Sequence, residues 1–101
     1  MTTSPSDQLQ LRSYLCALFR RVKNGEVSVF DFCTEYENLF NFELDRSILP
    51  IADEKAFEGL FDTAAWYSPH SDERAKIPNY VDEATVLLAV QRALDVLCCT
   101  P

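Results

Sequence analysis

The sequence predicts an all-α, single-domain fold. The chain has only two glycines, and few segments alternate apolar with polar residues, so a turn-rich β architecture is disfavoured. Apolar residues make up 48% of the chain, and they recur at the three- to four-residue spacing of helices that pack on a core. A chain of 101 residues is expected to fold as one domain over 1–101, with a radius of gyration of roughly 13 Å.

The first helix is expected to follow a loose leader at residues 1–6, with Ser4-Pro5 or Ser6 starting it. It should run to about Asn24, where Asn24-Gly25 supplies a left-handed stop. Its predicted inward side chains share helical spacing: Leu11, Tyr14, Leu15, Leu18 and Val22, widened by Cys16, Ala17 and Phe19.

The second helix is predicted to begin after Ser28, which can cap it. The link from the first helix is short, which favours antiparallel neighbours. One apolar face is expected to enter the core, formed by Val29, Phe32, Cys33, Tyr36, Leu39 and Phe40.

A long connection is predicted between Asn41 and Asp53, because Pro50 forbids a continuous helix. Its apolar residues, Leu44, Ile48, Leu49 and Ile51, are still expected to reach the core.

Asp53 is predicted to cap the third helix, in which Gly59 would allow a close helix approach. The expected buried residues of that helix are Phe57, Leu60, Phe61, Ala64 and Ala65.

The fourth helix is predicted to run from an Asp82 cap to about Cys98, leaving residues 99–101 as a frayed tail. Its broad apolar face comprises Val86, Leu87, Ala89, Val90, Ala93, Leu94 and Leu97. The four helices together predict an antiparallel four-helix bundle.

The stretch from Leu60 to Glu83 is the expected location of any specialised site. It contains the only tryptophan, the only histidine and two of the five prolines of the chain. Trp66 and Tyr67 should end the third helix, and Pro69 should stop it.

The formal charge of −7 is unevenly spread, because residues 1–25 carry four basic residues against Asp7. The remaining chain is therefore strongly acidic. We do not expect it to bind nucleic acid directly, because binding a phosphate backbone requires clustered Lys and Arg. A basic protein surface is a better candidate partner. Solubility alone is the competing explanation for the acidic charge.

The four cysteines are Cys16, Cys33, Cys98 and Cys99. Cys16 and Cys33 fall on apolar helical faces and are expected to be reduced core residues in a reducing compartment. No signal segment and no apolar run of membrane-spanning length is present in the sequence, so a cytoplasmic protein is expected. No metal or other cofactor is expected.

No active site is predicted, and the chain is expected not to be an enzyme. His70 has no Ser or Cys nucleophile near it in sequence, and no glycine-rich phosphate loop or HExxH pair occurs. The carboxylate pairs Asp72-Glu73 and Asp82-Glu83 lie in a polar loop and at a helix start, whereas acid or base catalysis usually requires a desolvated carboxyl group.

Two segments, LFRRVKNGEVSVFDFCTEYENLF and KAFEGLFDTAAWYSPHSDERAKIPNYVDEATVLLAVQRAL, carry a family resemblance. Over about residues 12–95 the chain resembles the colicin D immunity protein-like family, which includes immunity partners of contact-dependent-inhibition toxins. The shared pattern comprises a Phe-rich second helix (Val27, Phe30, Phe32), an LF..A motif (Leu60, Phe61, Ala64), an aromatic pair before Pro69, and a D.R loop (Asp72, Arg74).

The resemblance implies a helical bundle that binds and neutralises the C-terminal nuclease domain, a tRNase, of a bacteriocin or contact-dependent toxin. An acidic surface would stand in for RNA phosphates in the basic cleft of that domain, and a monomer would bind it 1:1. The chain departs from the pattern around Pro69, where Ala65, Ser68 and His70 stand in place of further carboxylates.

The predicted partner-binding residues are Glu58, Asp62, Trp66, Tyr67, His70, Asp72, Glu73, Asp82 and Glu83. For Trp66 and Tyr67 the alternative is that they close the end of the bundle, and for His70 that it is an exposed loop residue. A generic helical adaptor, holding a peptide or helix in an apolar groove, is the alternative function.

Overall fold

The computed structural model describes residues 5–45, 47 and 49–97 and is all-helical over them. The helices are α1 (Pro5–Lys23), α2 (Val29–Phe42), α3 (Ile51–Ala65), α4 (Ser71–Lys76) and α5 (Glu83–Leu97). The short α4 contains Asp72-Glu73, which the sequence analysis placed in a polar loop, so the prediction of a loop there was wrong. Residues 1–4 of the predicted leader, Ile48 and the tail at 99–101 lie outside the described residues.

Local signals set most of the helix ends. Gly25 stops α1 at a φ of 81°, the left-handed conformation that glycine adopts without strain. The hydroxyl of Ser28 caps α2 by accepting from the backbone N–H of Asp31 at 3.1 Å. Both features were predicted.

The predicted start of α3 was wrong. The helix begins at Ile51, directly after Pro50, and no side chain caps it. Asp53 lies inside the first turn, where its carboxylate pairs with the Arg12 guanidinium at 3.0 Å. Pro50 takes the extended backbone conformation usual at an N-cap position (φ −56°, ψ 149°), and Asp53 and Glu54 in the first turn favour the helix dipole, so α3 can start without a side-chain cap.

One core joins all four long helices. Its fully buried aromatic centre consists of Phe19, Phe32, Tyr36 and Phe57. Tyr36 stacks on Phe32 with a centroid separation of 5.6 Å, and Phe19 meets Tyr36 edge-on at 5.4 Å. Such aromatic pairs add to the stabilisation that comes from burial alone.

Several positions expected in the core are exposed instead: Tyr14, Ala17, Ile51 and Ala65. Tyr14 lies at the edge of the buried α1 stripe, where its hydroxyl donates to the Glu35 carboxylate. Gly59 makes no close helix approach, since no atom lies within 4 Å of the position a Cβ would occupy. The expectation for Leu44 is confirmed, because only 7% of it is exposed.

The two interior cysteines differ in their state. Cys33 is a free, buried thiol, as predicted. Cys16 was predicted to be reduced, and that expectation was wrong, because Cys16 takes part in a disulfide bond. Its partner lies outside the described residues.

Hydrogen bonds define two ends of the molecule. From the first half of α1, Arg12 donates to Asp53 at the start of α3 and to the Leu97 carbonyl at the end of α5, at 3.0 and 2.5 Å. We call this the Arg12 end. About 20 Å away along α3, at the 1.5 Å rise per residue of a helix, Trp66 follows the last turn. We call that the Trp66 end.

The α2–α3 connection also lies at the Arg12 end. Gln8 is buried there; its amide donates to the Glu43 carbonyl at 3.1 Å and accepts from the Asp45 N–H at 2.8 Å. None of the described helices is long and apolar enough to cross a bilayer.

Candidate functional site

The Trp66 end is built on a backbone pairing between the end of α3 and the start of α5. Val81 donates its N–H to the Trp66 carbonyl at 2.8 Å, and Ser68 donates to the Val81 carbonyl at 3.1 Å. Tyr67 and Val81 thereby form an isolated parallel bridge. The two chain segments that flank α4 are therefore held together, and α4 is held beside them.

Ser68 anchors α4 from inside the connection. Its side chain is only 3% exposed, and its hydroxyl donates to the Glu73 carboxylate at 2.9 Å. Its carbonyl accepts from the Arg74 guanidinium at 2.6 Å. Glu73, predicted as a partner contact, thus has a local structural role, and Arg74 is occupied by the backbone.

Asp82, a second predicted contact, caps α5 as the sequence indicated. Its carboxylate accepts from the Thr85 backbone N–H at 2.9 Å and from the Thr85 hydroxyl at 2.8 Å. These hydrogen bonds to the charged form, led by the backbone one, lower the pKa of Asp82 below its usual value. The group remains exposed, but its acceptor capacity is partly used.

Trp66 and Tyr67 differ in their surroundings. Trp66 is 43% exposed and packs on Tyr80 with a centroid separation of 5.8 Å. Tyr67 is half-buried, and burial, followed by the nearby Glu83 charge, raises its pKa. Trp66 therefore presents much of its indole to solvent, while Tyr67 mainly joins the connection to the core.

His70 is exposed at the position just before α4. Its backbone N–H donates to the Ser68 hydroxyl at 3.3 Å, and its carbonyl accepts from the Arg74 N–H at 3.1 Å. The imidazole makes no capping hydrogen bond to α4. The structure thus gives His70 a backbone role in starting α4.

The other four predicted carboxylates are exposed, as Glu73 and Asp82 are: Glu58, Asp62, Asp72 and Glu83. Within residues 5–45, 47 and 49–97, none of them makes a hydrogen bond or an ion pair; the ion pair found there is Arg12–Asp53 at the other end. Glu58, Asp62 and Trp66 recur at every fourth position, which aligns them along one side of α3. We call Glu58 and Asp62 the acidic row, which leads to Trp66.

A groove beside the acidic row was missed by the sequence analysis. It lies between α2 and the end of α3, with a volume of about 270 Å³. Its walls are formed by Phe30, Cys33, Thr34, Glu37, Ala64, Ala65, Tyr67 and Pro69. Phe30 is 57% exposed and lies off the buried face of α2. Its absence from that apolar stripe is the one signal in the sequence that could have indicated the groove.

Glu37 carries the one carboxyl group among the described residues that line the groove. Partial burial raises its pKa. Its charge also contributes, after burial itself, to raising the pKa of the Cys33 thiol to about 12. No hydrogen bond or ion pair to the Glu37 carboxylate occurs in the described part of the chain.

A second furrow, of about 250 Å³, runs between α3 and α5. Small and apolar residues line it, together with Lys55 and Arg92. No group of three or more His, Cys, Asp or Glu side chains among the described residues is arranged to hold a metal ion.

The chain matches no family model, no curated protein and no solved structure. Interpretation of the Trp66 end therefore depends on its own residues.

Proposed function

We propose that this protein is an immunity protein of the colicin D type, which binds and neutralises the C-terminal nuclease domain, a tRNase, of a bacteriocin or contact-dependent inhibition toxin. On this proposal its four long helices form an antiparallel four-helix bundle. It acts in the cytoplasm as a monomer bound 1:1 to the toxin. The sequence resemblance described above motivates the toxin class.

The observation that carries the proposal is the acidic row. A nuclease cleft holds phosphates with Lys and Arg, and carboxylates can accept charge-assisted hydrogen bonds from the same side chains. Glu58 and Asp62 repel each other mildly when unpaired, because like charges at i and i+4 are destabilising. A basic partner would relieve that repulsion.

Trp66 supplies the apolar part of the proposed contact. Interface hot spots are enriched in Trp, and they are surrounded by residues that exclude water. The indole packs on Tyr80, and the Trp66 backbone is held by its pairing with Val81. It can therefore be buried against a partner at a small cost in conformational entropy.

The first test is protection. Cells that express the toxin domain from the neighbouring upstream reading frame are expected to regain growth when this protein is co-expressed. If the cells stay inhibited while the two purified, folded proteins bind each other, neutralisation is not the function. If no complex forms with that domain, the proposed partner is wrong.

The second test addresses the acidic row by association kinetics. The double variant E58Q/D62N is expected to associate more slowly and with a weaker salt dependence than the wild type, because steering scales with complementary charge. Glu73 and Asp82 are unsuitable for this test, since their carboxylates hold α4 and cap α5.

The matched control is E43Q/D95N, which removes the same charge. Glu43 ends α2 and Asp95 lies near the end of α5, both at the Arg12 end. A control that slows association as much as E58Q/D62N would show that total charge matters and the row does not. Trp66→Ala is expected to weaken binding by about 2 kcal/mol or more if Trp66 is a hot spot.

The furrow between α3 and α5 favours a second candidate function, a helical adaptor. Its apolar floor could receive one face of a partner helix, and Lys55 and Arg92 on its walls would select an acidic or neutral segment. The charge of the partner distinguishes the two functions, because the acidic row requires a basic surface.

A further inference from the structure

We propose that the groove between α2 and the end of α3 is an anchor site for one arginine side chain of the basic partner. This inference rests on the proposed function, since it names the chemistry of a second contact beside the acidic row. It assigns a role to Phe30, Thr34, Glu37 and Pro69, which the predicted interface does not include.

The shape and lining of the groove match a long cationic side chain. Its walls at Ala64, Ala65 and Pro69 are apolar, while Glu37 places a single carboxylate among them. An arginine combines an apolar stem with a charged head, so it can satisfy both parts of such a site.

The unpaired state of Glu37 supplies the charge argument. Glu37 is partly buried and its carboxylate receives no hydrogen bond from the described residues, so burial has removed part of its hydration without a protein donor in exchange. A guanidinium entering the groove would restore hydrogen bonds to both carboxylate oxygens, in the bidentate geometry that arginine favours. Among the described residues, no Lys or Arg lines the groove.

Phe30 favours arginine over lysine. More than half of its surface is exposed, although the chain could have placed a polar residue there without loss of core packing. A planar guanidinium can lie flat on an aromatic face, and it is more weakly hydrated than an ammonium group. The exposed ring lines the same groove as the carboxylate, two helical turns away on α2, and forms an aromatic wall there.

The position of the groove links it to the acidic row. Tyr67 and Ala65 line the groove, and Trp66 lies between them in the chain. A basic surface that covers Trp66 and the acidic row would thus present neighbouring side chains to the groove.

The first experiment uses a small probe and needs no toxin. N-acetyl-arginine methylamide is titrated into the ¹⁵N-labelled protein, with N-acetyl-citrulline methylamide as the uncharged probe of similar shape. The arginine probe is expected to shift the amide signals of Thr34, Ala65 and Tyr67. The E37Q variant is expected to bind the arginine probe about tenfold more weakly than the wild type, because one charge-assisted contact is lost. Equal binding of the two probes, or equal binding by E37Q, would overturn the inference.

The second experiment uses the complex with the toxin domain. E37Q is expected to dissociate about tenfold faster than the wild type. E43Q removes a carboxylate just past the end of α2, about 9 Å further along the helix axis and outside the groove lining, and it should leave dissociation unchanged. If the complex forms and E37Q dissociates at the wild-type rate, the anchor site is refuted and the proposed function stands.

The two failures are distinguishable. If no complex forms with any variant, the proposed function fails, and the probe titration alone decides whether the groove takes arginine. Misfolding of E37Q is excluded by its thermal melting, which should be unchanged or raised, because the substitution removes a desolvated charge. Phe30→Ala provides a second variant, with weaker arginine binding expected from loss of the aromatic wall.

Discussion

The hydroxyl of Tyr36 offers a sharp test of the core. Tyr36 is 0% exposed, and its hydroxyl donates to the Phe57 carbonyl at 2.6 Å, joining α2 to α3. The substitution Tyr36→Phe removes that donor and keeps the ring between Phe19 and Phe32. The aromatic packing is retained, so the change in stability measures the hydrogen bond.

The expected cost follows from the surroundings of the bond. A neutral intramolecular hydrogen bond contributes about 0.5–1.5 kcal/mol net. The Phe57 carbonyl lies inside α3, where a helical carbonyl also accepts from the N–H four residues on, so it keeps one partner. We expect Tyr36→Phe to cost about 1 kcal/mol, which lowers the melting temperature of a domain of this size by about 4–8 °C.

Tyr14→Phe is the matched control. It removes a hydroxyl that bonds to Glu35 at a site 44% exposed, and surface changes of this kind are usually within about 0.5 kcal/mol. Thermal and urea unfolding, followed by circular dichroism, compare the two variants. If Tyr36→Phe is as stable as the wild type, the hydrogen bond to Phe57 does not stabilise the core as described. The same conclusion follows if Tyr14→Phe is the more destabilised of the two variants.

The same burial predicts how Tyr36 titrates. Burial raises the pKa of Tyr36 well above its ordinary value. In a spectrophotometric alkaline titration, Tyr36 should therefore stay protonated until the chain unfolds. Ionisation of all four tyrosines in the still-folded protein would contradict this.

Three further predictions concern single side chains. Asp82→Ala should lower the melting temperature, while Asp82→Asn should retain most of the cap. Because the pKa of Asp82 is lowered in the folded protein, the charged cap stabilises the fold above pH 3.8. Its contribution is lost as pH falls through the folded-state pKa. Cys33 should resist alkylation in the native state and should react once the protein is unfolded, without reductant. Cys16 should react only when the protein is both unfolded and reduced. Mass spectrometry can detect both modifications. Arg12→Met should cost about 1 kcal/mol in urea unfolding, because a partly exposed ion pair and one bond to Leu97 are lost; an unchanged midpoint would count against that tie.

The helix ends that the sequence predicted are those set by neighbouring residues. Ser28, Gly25 and Asp82 act on backbone groups within three or four positions, so their patterns are complete in the sequence. Asp53 has the composition of a cap but pairs with Arg12, 41 positions away. No local pattern distinguishes a capping carboxylate from one that a distant arginine holds.

The site was predictable in outline and not in its detail. Charge and the aromatic pair indicated the stretch from Leu60 to Glu83, but α4 has no apolar face to predict it and depends on the buried Ser68. The groove depends on Glu37 facing Ala64 and Pro69 across two elements. Such an arrangement exists only after α2 and α3 have packed.

The distribution of paired and unpaired charge distinguishes the two ends of the molecule. At the Arg12 end, the ion pair and buried amide bonds close the structure. At the Trp66 end, Arg74 is held by a backbone carbonyl, so it leaves the neighbouring Asp72 without a salt bridge in the described part of the chain. Glu58, Asp62 and Glu37 have no ion-pair partner among the described residues, so no contact in the described part of the fold requires these charges. A basic partner would use the exposed row to accelerate encounter and the recessed Glu37 to slow dissociation, because rim charges mainly affect association and enclosed ones dissociation.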